Sequence, residues 1–346
     1  MPLSPASLIS HKPSRFIVVL MIGLALLAPL PYVIIKPSTP ENVLGKLITI
    51  NGAESYPPSQ GSKLFITAVL VTDPGTYVSG LQVLASWIDG TSAVFPRAEI
   101  YPPEQTNKEI KTENKIDMTH SQYDATAAAL TFLKIKYSQS IQVTGTLAES
   151  GAQHRLLPGD RIISVDGHVI DSPAHIRKII SSHTIGDSLE VTVQRKVNSV
   201  DTRLTEKITL MENQQGKPAL GIFVGTTYEF PFTVKFNIQE TGGPSGGMIF
   251  ALGIIEKLTA EDLLRGRAIA GTGTIDGQGN VGPIGGINEK MIGAADAGAT
   301  IFLAPRANCV DIKSVPKNLV VIPVATLNEA VDVLRNTHPE SLAGCR

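Results

Sequence analysis

A serine framed by glycines, Ser245 in TGGPSGG, runs directly into MIFALGII, and this join most narrows what the chain can fold into. An apolar run of that length predicts a helix greasy on every side, which is stable only inside a core. Ser245 then stands at a helix N-terminus, where unpaired N–H groups and the positive dipole end favour an anion. The flanking Gly243 and Gly246 allow a second backbone to approach closely. This is a suitable place for a nucleophile, because each well-aimed N–H donor to a developing oxyanion is worth about 10²–10³-fold in rate. It is equally a suitable place for a simple capping serine.

A serine hydroxyl needs a base, and the only histidine downstream is His338, in a polar tail. The sequence GGPSGG also satisfies the Gly-x-Ser-x-Gly elbow of esterases, but that chemistry would rest on His338, and a proline before the nucleophile fits a strained elbow poorly. Lys290, in VGPIGGINEKMIGAA, is the better candidate, since Met291, Ile292, Ala294 and Ala295 can pack inward and take it with them. A lysine acts as a base near neutral pH only if burial lowers its pKa from about 10.4 by roughly 3 units, which costs about 4 kcal/mol.

The rest of the chain sets the frame. Residues 16–35 carry no charge, and about 20 apolar residues suffice to cross a bilayer, so they are expected to form one membrane-spanning helix. Lys12 and Arg15 before it favour a cytoplasmic N-terminus with the bulk of the chain outside. Residues 44–71 alternate short β-rich runs with turn residues, 103–115 read as an exposed loop, and 119–132 as a helix. Between 138 and 212 lies a second unit of alternating strands, with an Asp166-Gly167 hairpin turn and a helix opened by Ser172-Pro173. Beyond Leu220 strands and helices alternate, with capping-box spacings at Thr259/Asp262 and Thr326/Glu329. Acidic and basic residues nearly balance and no basic stripe appears, so nucleic acid is not an expected partner. Cys309 and Cys345 have no metal-ligand spacing; they either pair or remain thiols. No cofactor or metal is expected.

Two resemblances sharpen this. PGDRIISVDGHVI followed by a proline-started helix resembles the PDZ domains of bacterial proteases, which implies a peptide added as a strand beside the main helix, at Ser140, Ile141, Gln142 and Val143. GGPSGG, an apolar helix and AGTGTIDGQGNVGPIGGINEK together resemble the Lon protease catalytic domain. That likeness implies a Ser245–Lys290 dyad, with Thr272 orienting the lysine. Gly246 stands where alanine is usual, Asn288 where a lysine is, Thr274 where a glutamate is common, and Gly242 where an aspartate is frequent. The implied architecture is α+β: a Lon-type proteolytic domain with an inserted PDZ domain, after one N-terminal transmembrane helix. Its parts are a tail (1–15), the anchor (16–35), a β-rich N-terminal part (44–137), the PDZ domain (138–212) and the catalytic domain (213–340). The expectation is a single-pass cell-membrane endopeptidase acting on polypeptides outside the cytoplasm. No phosphate-binding loop is present, so no ATP is expected. Homo-oligomerisation is left open, and the rival function is a catalytically inactive PDZ membrane adaptor.

Overall fold

The computed structural model describes residues 12–101, 106–238 and 243–345 of the 346. Its α-helices are α1 (Lys12–Leu27), α2 (Gly80–Asp89), α3 (Arg97–Ile100), α4 (Asn107–Phe132), α5 (Pro173–Ile180), α6 (Gly247–Leu258), α7 (Ile287–Asp296) and α8 (Leu327–Arg335). The chain divides into two compact units, residues 136–231 and the segments on either side of them.

The larger unit is organised by a five-stranded sheet in the order Val320–Val324, Ile301–Pro305, Ala268–Gly271, Lys63–Ile66, Glu41–Asn42. The first four strands run parallel and only the last pairs antiparallel. Side chains alternate across a strand, and here both faces are buried. Leu64, Ile269 and Leu303 pack with α4, α6 and α8, while their neighbours Phe65, Ala270 and Phe302 pack with Ile287, Met291 and Ala294 of α7. As its composition requires, α6 is buried from Gly247 through Glu256.

Three expectations need correction here. The apolar run 16–35 is not one helix: α1 stops at Leu27, and Tyr32–Pro37 is the central strand of a three-stranded sheet, with Val33, Ile34 and Ile35 buried. The cause is local, because Pro29 and Pro31 remove helical donors and push the residues before them into extended backbone, and three β-branched residues follow. Among the described residues no helix is long and apolar enough to cross a membrane. Residues 107–115 are not loop but the first turns of α4, whose start is set by a capping box between Thr106 and Glu109. No helix opens at Thr259; it closes α6, its hydroxyl donating to the Ile255 carbonyl. Thr326 does cap α8, accepting from the Glu329 N–H.

The smaller unit is a sheet in the order Val200–Thr209, Ser188–Val197, Arg161–Val165, Ser138–Thr146, Ile222–Glu229, closed by α5. Asp166 and Gly167 take positive φ at the hairpin, and Ser172 caps α5 through the His175 N–H. Asp160, 1% exposed, accepts two hydrogen bonds from the Arg195 guanidinium and one from the Leu157 N–H. Removing one partner of such a buried pair leaves a charge without compensation. Asp160→Ala is expected to destabilise this unit by roughly 3 kcal/mol. Urea titration of the whole chain, with hydrogen exchange to locate the loss in residues 136–231, checks it.

Candidate active site

Ser245 and Lys290 come from opposite faces of the five-stranded sheet. Ser245 lies in the turn before α6, and Lys290 lies in the first turns of α7. They meet just past the end of the strand Ala268–Gly271, where Lys290 Nζ is 2.9 Å from Ser245 Oγ and 3.1 Å from Thr272 Oγ1. The carboxyl ends of parallel strands are where such folds leave a crevice.

The serine turn is held from three sides. Thr272 Oγ1 donates to the Ser245 carbonyl at 3.0 Å, and the Gly273 N–H donates to the same oxygen at 2.7 Å. Ser121, buried on α4, donates to the Pro244 carbonyl at 3.0 Å. Sequence reading passed over Ser121; the one signal was a polar residue sharing a helix face with Ala125 and Ala128, both buried. Gly246 is explained by crowding: a Cβ there would lie 2.2 Å from Ile66 Cδ1, so alanine would force Ile66 to turn. Gly243 has φ +99°, a conformation few other residues adopt. Gly242 lies outside the described residues.

Lys290 is 2% exposed, and loss of solvent pushes its ammonium down to about 7. Thr272, 0% exposed, fixes which way the amine faces. The threonine spends its own hydrogen on the Ser245 carbonyl, so its oxygen is left to accept from Lys290. Once Lys290 is neutral, one N–H remains on Thr272 and the lone pair is free to face the serine hydroxyl. The loop leading into α7 is itself clamped by Asn308, another residue that sequence reading missed. Its side chain accepts from the Ile284 N–H and donates to the Ile284 carbonyl, both at 2.9 Å. Asn288 ties the same helix to the segment beyond, through the Asp311 carbonyl and the Lys313 N–H. Asn308 adjoins Cys309, which is disulfide-bonded to Cys345.

Beside Ser245 lies a cleft of about 50 Å³, lined by Leu47, Ile66, Met118 and Ile238 with Thr67 and Gly243. Ser38, Thr39 and Glu41 also line it, so apolar and polar groups both face the space beside Ser245. Among the described residues no cluster of His, Cys, Asp and Glu could hold a metal ion.

The residues expected to receive a peptide strand in the smaller unit cannot do so. Ser140, Ile141, Gln142 and Val143 sit in an inner strand, paired with Ile222–Glu229 on one side and, at Ile141 and Gln142, with Arg161–Val165 on the other. The outer strand on this side of the sheet is Ile222–Glu229, which also packs near α5. It is preceded by Leu220-Gly221, where Gly221 has φ +72° and a Cβ would lie 2.3 Å from the Ser150 Cβ. The misreading has a physical source: a strand's place in a sheet is not encoded in its own pattern, and the pairing partner follows some 80 residues later.

Comparison with known proteins agrees with this division. Residues 239–337 match the Lon protease (S16) C-terminal proteolytic domain, and residues 138–205 match the PDZ domain. Lon protease 2 of Herpetosiphon aurantiacus is 37% identical over 114 residues, 31% of this chain and 14% of that protein. Lon protease 1 of Bacillus subtilis is 30% identical over 146 residues, 39% of this chain and 19% of that protein. The chain thus matches less than a quarter of the length of either relative. A solved PDZ domain of an SdrC-like protein from Listeria monocytogenes is 23% identical, covering 25% of this chain and 86% of that one at a TM-score of 0.23. The chain thus carries one segment that matches a Lon proteolytic domain and one that matches a PDZ domain.

Two outcomes follow from the buried amine. Below about pH 7 both folded and unfolded chains keep the Lys290 proton; between about 7 and the ordinary 10.5 only the unfolded chain does. Folded stability should therefore rise with pH across that window. Lys290→Met should abolish that part of the slope and be the more stable form at acid pH, as thermal melts across the window will report. Thr272→Val should lower kcat by about 10²-fold by letting the amine drift, with KM little changed. Thr272→Ser should restore most of it.

Proposed function

We propose that the chain is an ATP-independent serine endopeptidase working through a Ser245–Lys290 dyad. The observation that carries this reading is the 2.9 Å contact between Ser245 Oγ and a buried Lys290 Nζ whose pKa is pushed to about 7. Neutral Lys290 takes the Ser245 proton as the oxygen attacks a peptide carbonyl. N–H groups of the turn at Ser245 and Gly246 hold the resulting oxyanion. The lysine ammonium then gives its proton to the departing amine, leaving an ester on Ser245. Water, deprotonated by the same amine, hydrolyses that ester and returns the serine. Peptides held as an added strand on the edge of Ile222–Glu229 would be delivered from the PDZ domain.

The substrates of this reading are unfolded or membrane-proximal polypeptides. The proteolytic unit is held at the cell membrane through the apolar α1 and faces the exterior, a setting in which the Cys309–Cys345 disulfide is stable. The competing reading is an inactive adaptor, and a serine-reactive phosphonate separates the two. The full chain in mild detergent should be labelled at Ser245 and should cleave an unstructured polypeptide without ATP. Ser245→Ala and Lys290→Ala should each lose roughly 10³-fold or more. Cleavage by the active form should climb through a midpoint near the lysine pKa of about 7 as pH rises. Labelling that neither substitution affects would leave the adaptor standing.

A further inference from the structure

The apolar residues of α2 are on the wrong side for a helix of a water-exposed domain. Val83 and Ser86 face inward and are buried, whereas Leu81, Leu84, Trp87 and Ile88 point outward, Trp87 67% and Ile88 78% exposed. The spacing puts these four on one face, and no charge occurs from Gly80 through Ile88.

This face adjoins a second uncovered apolar surface. In α1, the seven consecutive residues from Phe16 to Ile22 are all exposed. Successive helical residues point about 100° apart, so this run presents apolar side chains around the whole circumference. One partner helix or one groove covers a stripe; a surrounding apolar medium covers every side. The two helices touch where α2 begins, since a Cβ on Gly80 would lie 2.5 Å from the Ala25 carbonyl oxygen near the end of α1. Tyr77, just before α2 in the chain, is exposed as well, with the Arg97 guanidinium 5.3 Å from its ring. An exposed tryptophan on an uncharged apolar helix face is a residue enriched at a bilayer's headgroup boundary, and an exposed tyrosine close by in the chain fits the same setting.

We propose that α2 lies in the lipid interface and, together with α1, seats the proteolytic unit on the membrane surface. This rests on the attachment through α1 proposed above and adds a second point of contact. One helix alone would leave the unit free to swing. Two contacts, joined at Gly80, fix its face toward the bilayer and restrict cleavage to segments emerging close to it.

Trp87 is the chain's single tryptophan, so its emission reports on α2 directly. The full chain is reconstituted into phosphatidylcholine vesicles with brominated acyl chains, and the vesicles are floated on a gradient. The expected result is flotation of the chain with blue-shifted Trp87 emission, quenched more by bromines near the headgroups than by those near the chain ends. Leu84→Glu with Ile88→Glu should return the emission to that of a water-exposed indole while leaving hydrolysis of a short soluble peptide unchanged. A chain that does not float overturns the attachment through α1. A chain that floats with Trp87 unquenched by lipid bromine and open to aqueous iodide overturns the seating of α2 alone. Blue-shifted emission without lipid that depends on protein concentration would assign the face to a second copy, and also overturns it.

Discussion

The arrangement depends on keeping one amine dry. Burial is what lowers the Lys290 pKa, and an exposed lysine would remain protonated and could take nothing from a serine. A close carboxylate would undo the effect by favouring the charged form. The core around α7 supplies Met291, Ala294 and Phe302, which exclude water without offering a counter-charge. The lysine contacts that matter are two hydroxyls, of Ser245 and Thr272, which can be satisfied in either protonation state.

Bringing Ser245 and Lys290 together requires the whole sheet. Period-two alternation along its parallel strands creates two buried faces, one for α6 and one for α7, and the helices' N-terminal turns converge beyond the strand that ends at Gly271. Thr272 is the hinge of the design, because it follows that strand and touches both partners. Ser121 and Asn308 work at one remove, the first on the turn that carries the serine and the second on the loop that aims the lysine. The disulfide beside Asn308 ties the last residues of the chain to this same support.

Legibility from sequence followed the range of the physics involved. Local chemistry was readable: Ser172 and Thr326 as caps, the Asp166-Gly167 turn, and the buried character of α6. Local chemistry was also misjudged where one signal was weighed without its neighbours. The capping box at Thr106 was submerged in a polar stretch, and Thr259 had the spacing of a cap but sits where a helix ends. The apolar run after Phe16 has the length of a membrane span, yet Pro29 and Pro31 divide it, and its β-branched end is consumed by a sheet. The inner strand Ser138–Thr146 looked like an edge because nothing within it records that Ile222–Glu229 returns to cover it.

The sequence by itself determined that a glycine-framed serine opens a fully apolar helix, and that Lys290, beside apolar residues, is a better candidate base than His338. Those conclusions need only composition, helical period and the chemistry of a hydroxyl. Tertiary structure alone decided that the lysine is dry, that Ser121 and Asn308 brace the two segments that meet, and which strand edge of the PDZ unit remains open. Each of these depends on contacts between residues far apart in the chain, and desolvation and strand pairing are created by closure of the fold rather than by any segment of it.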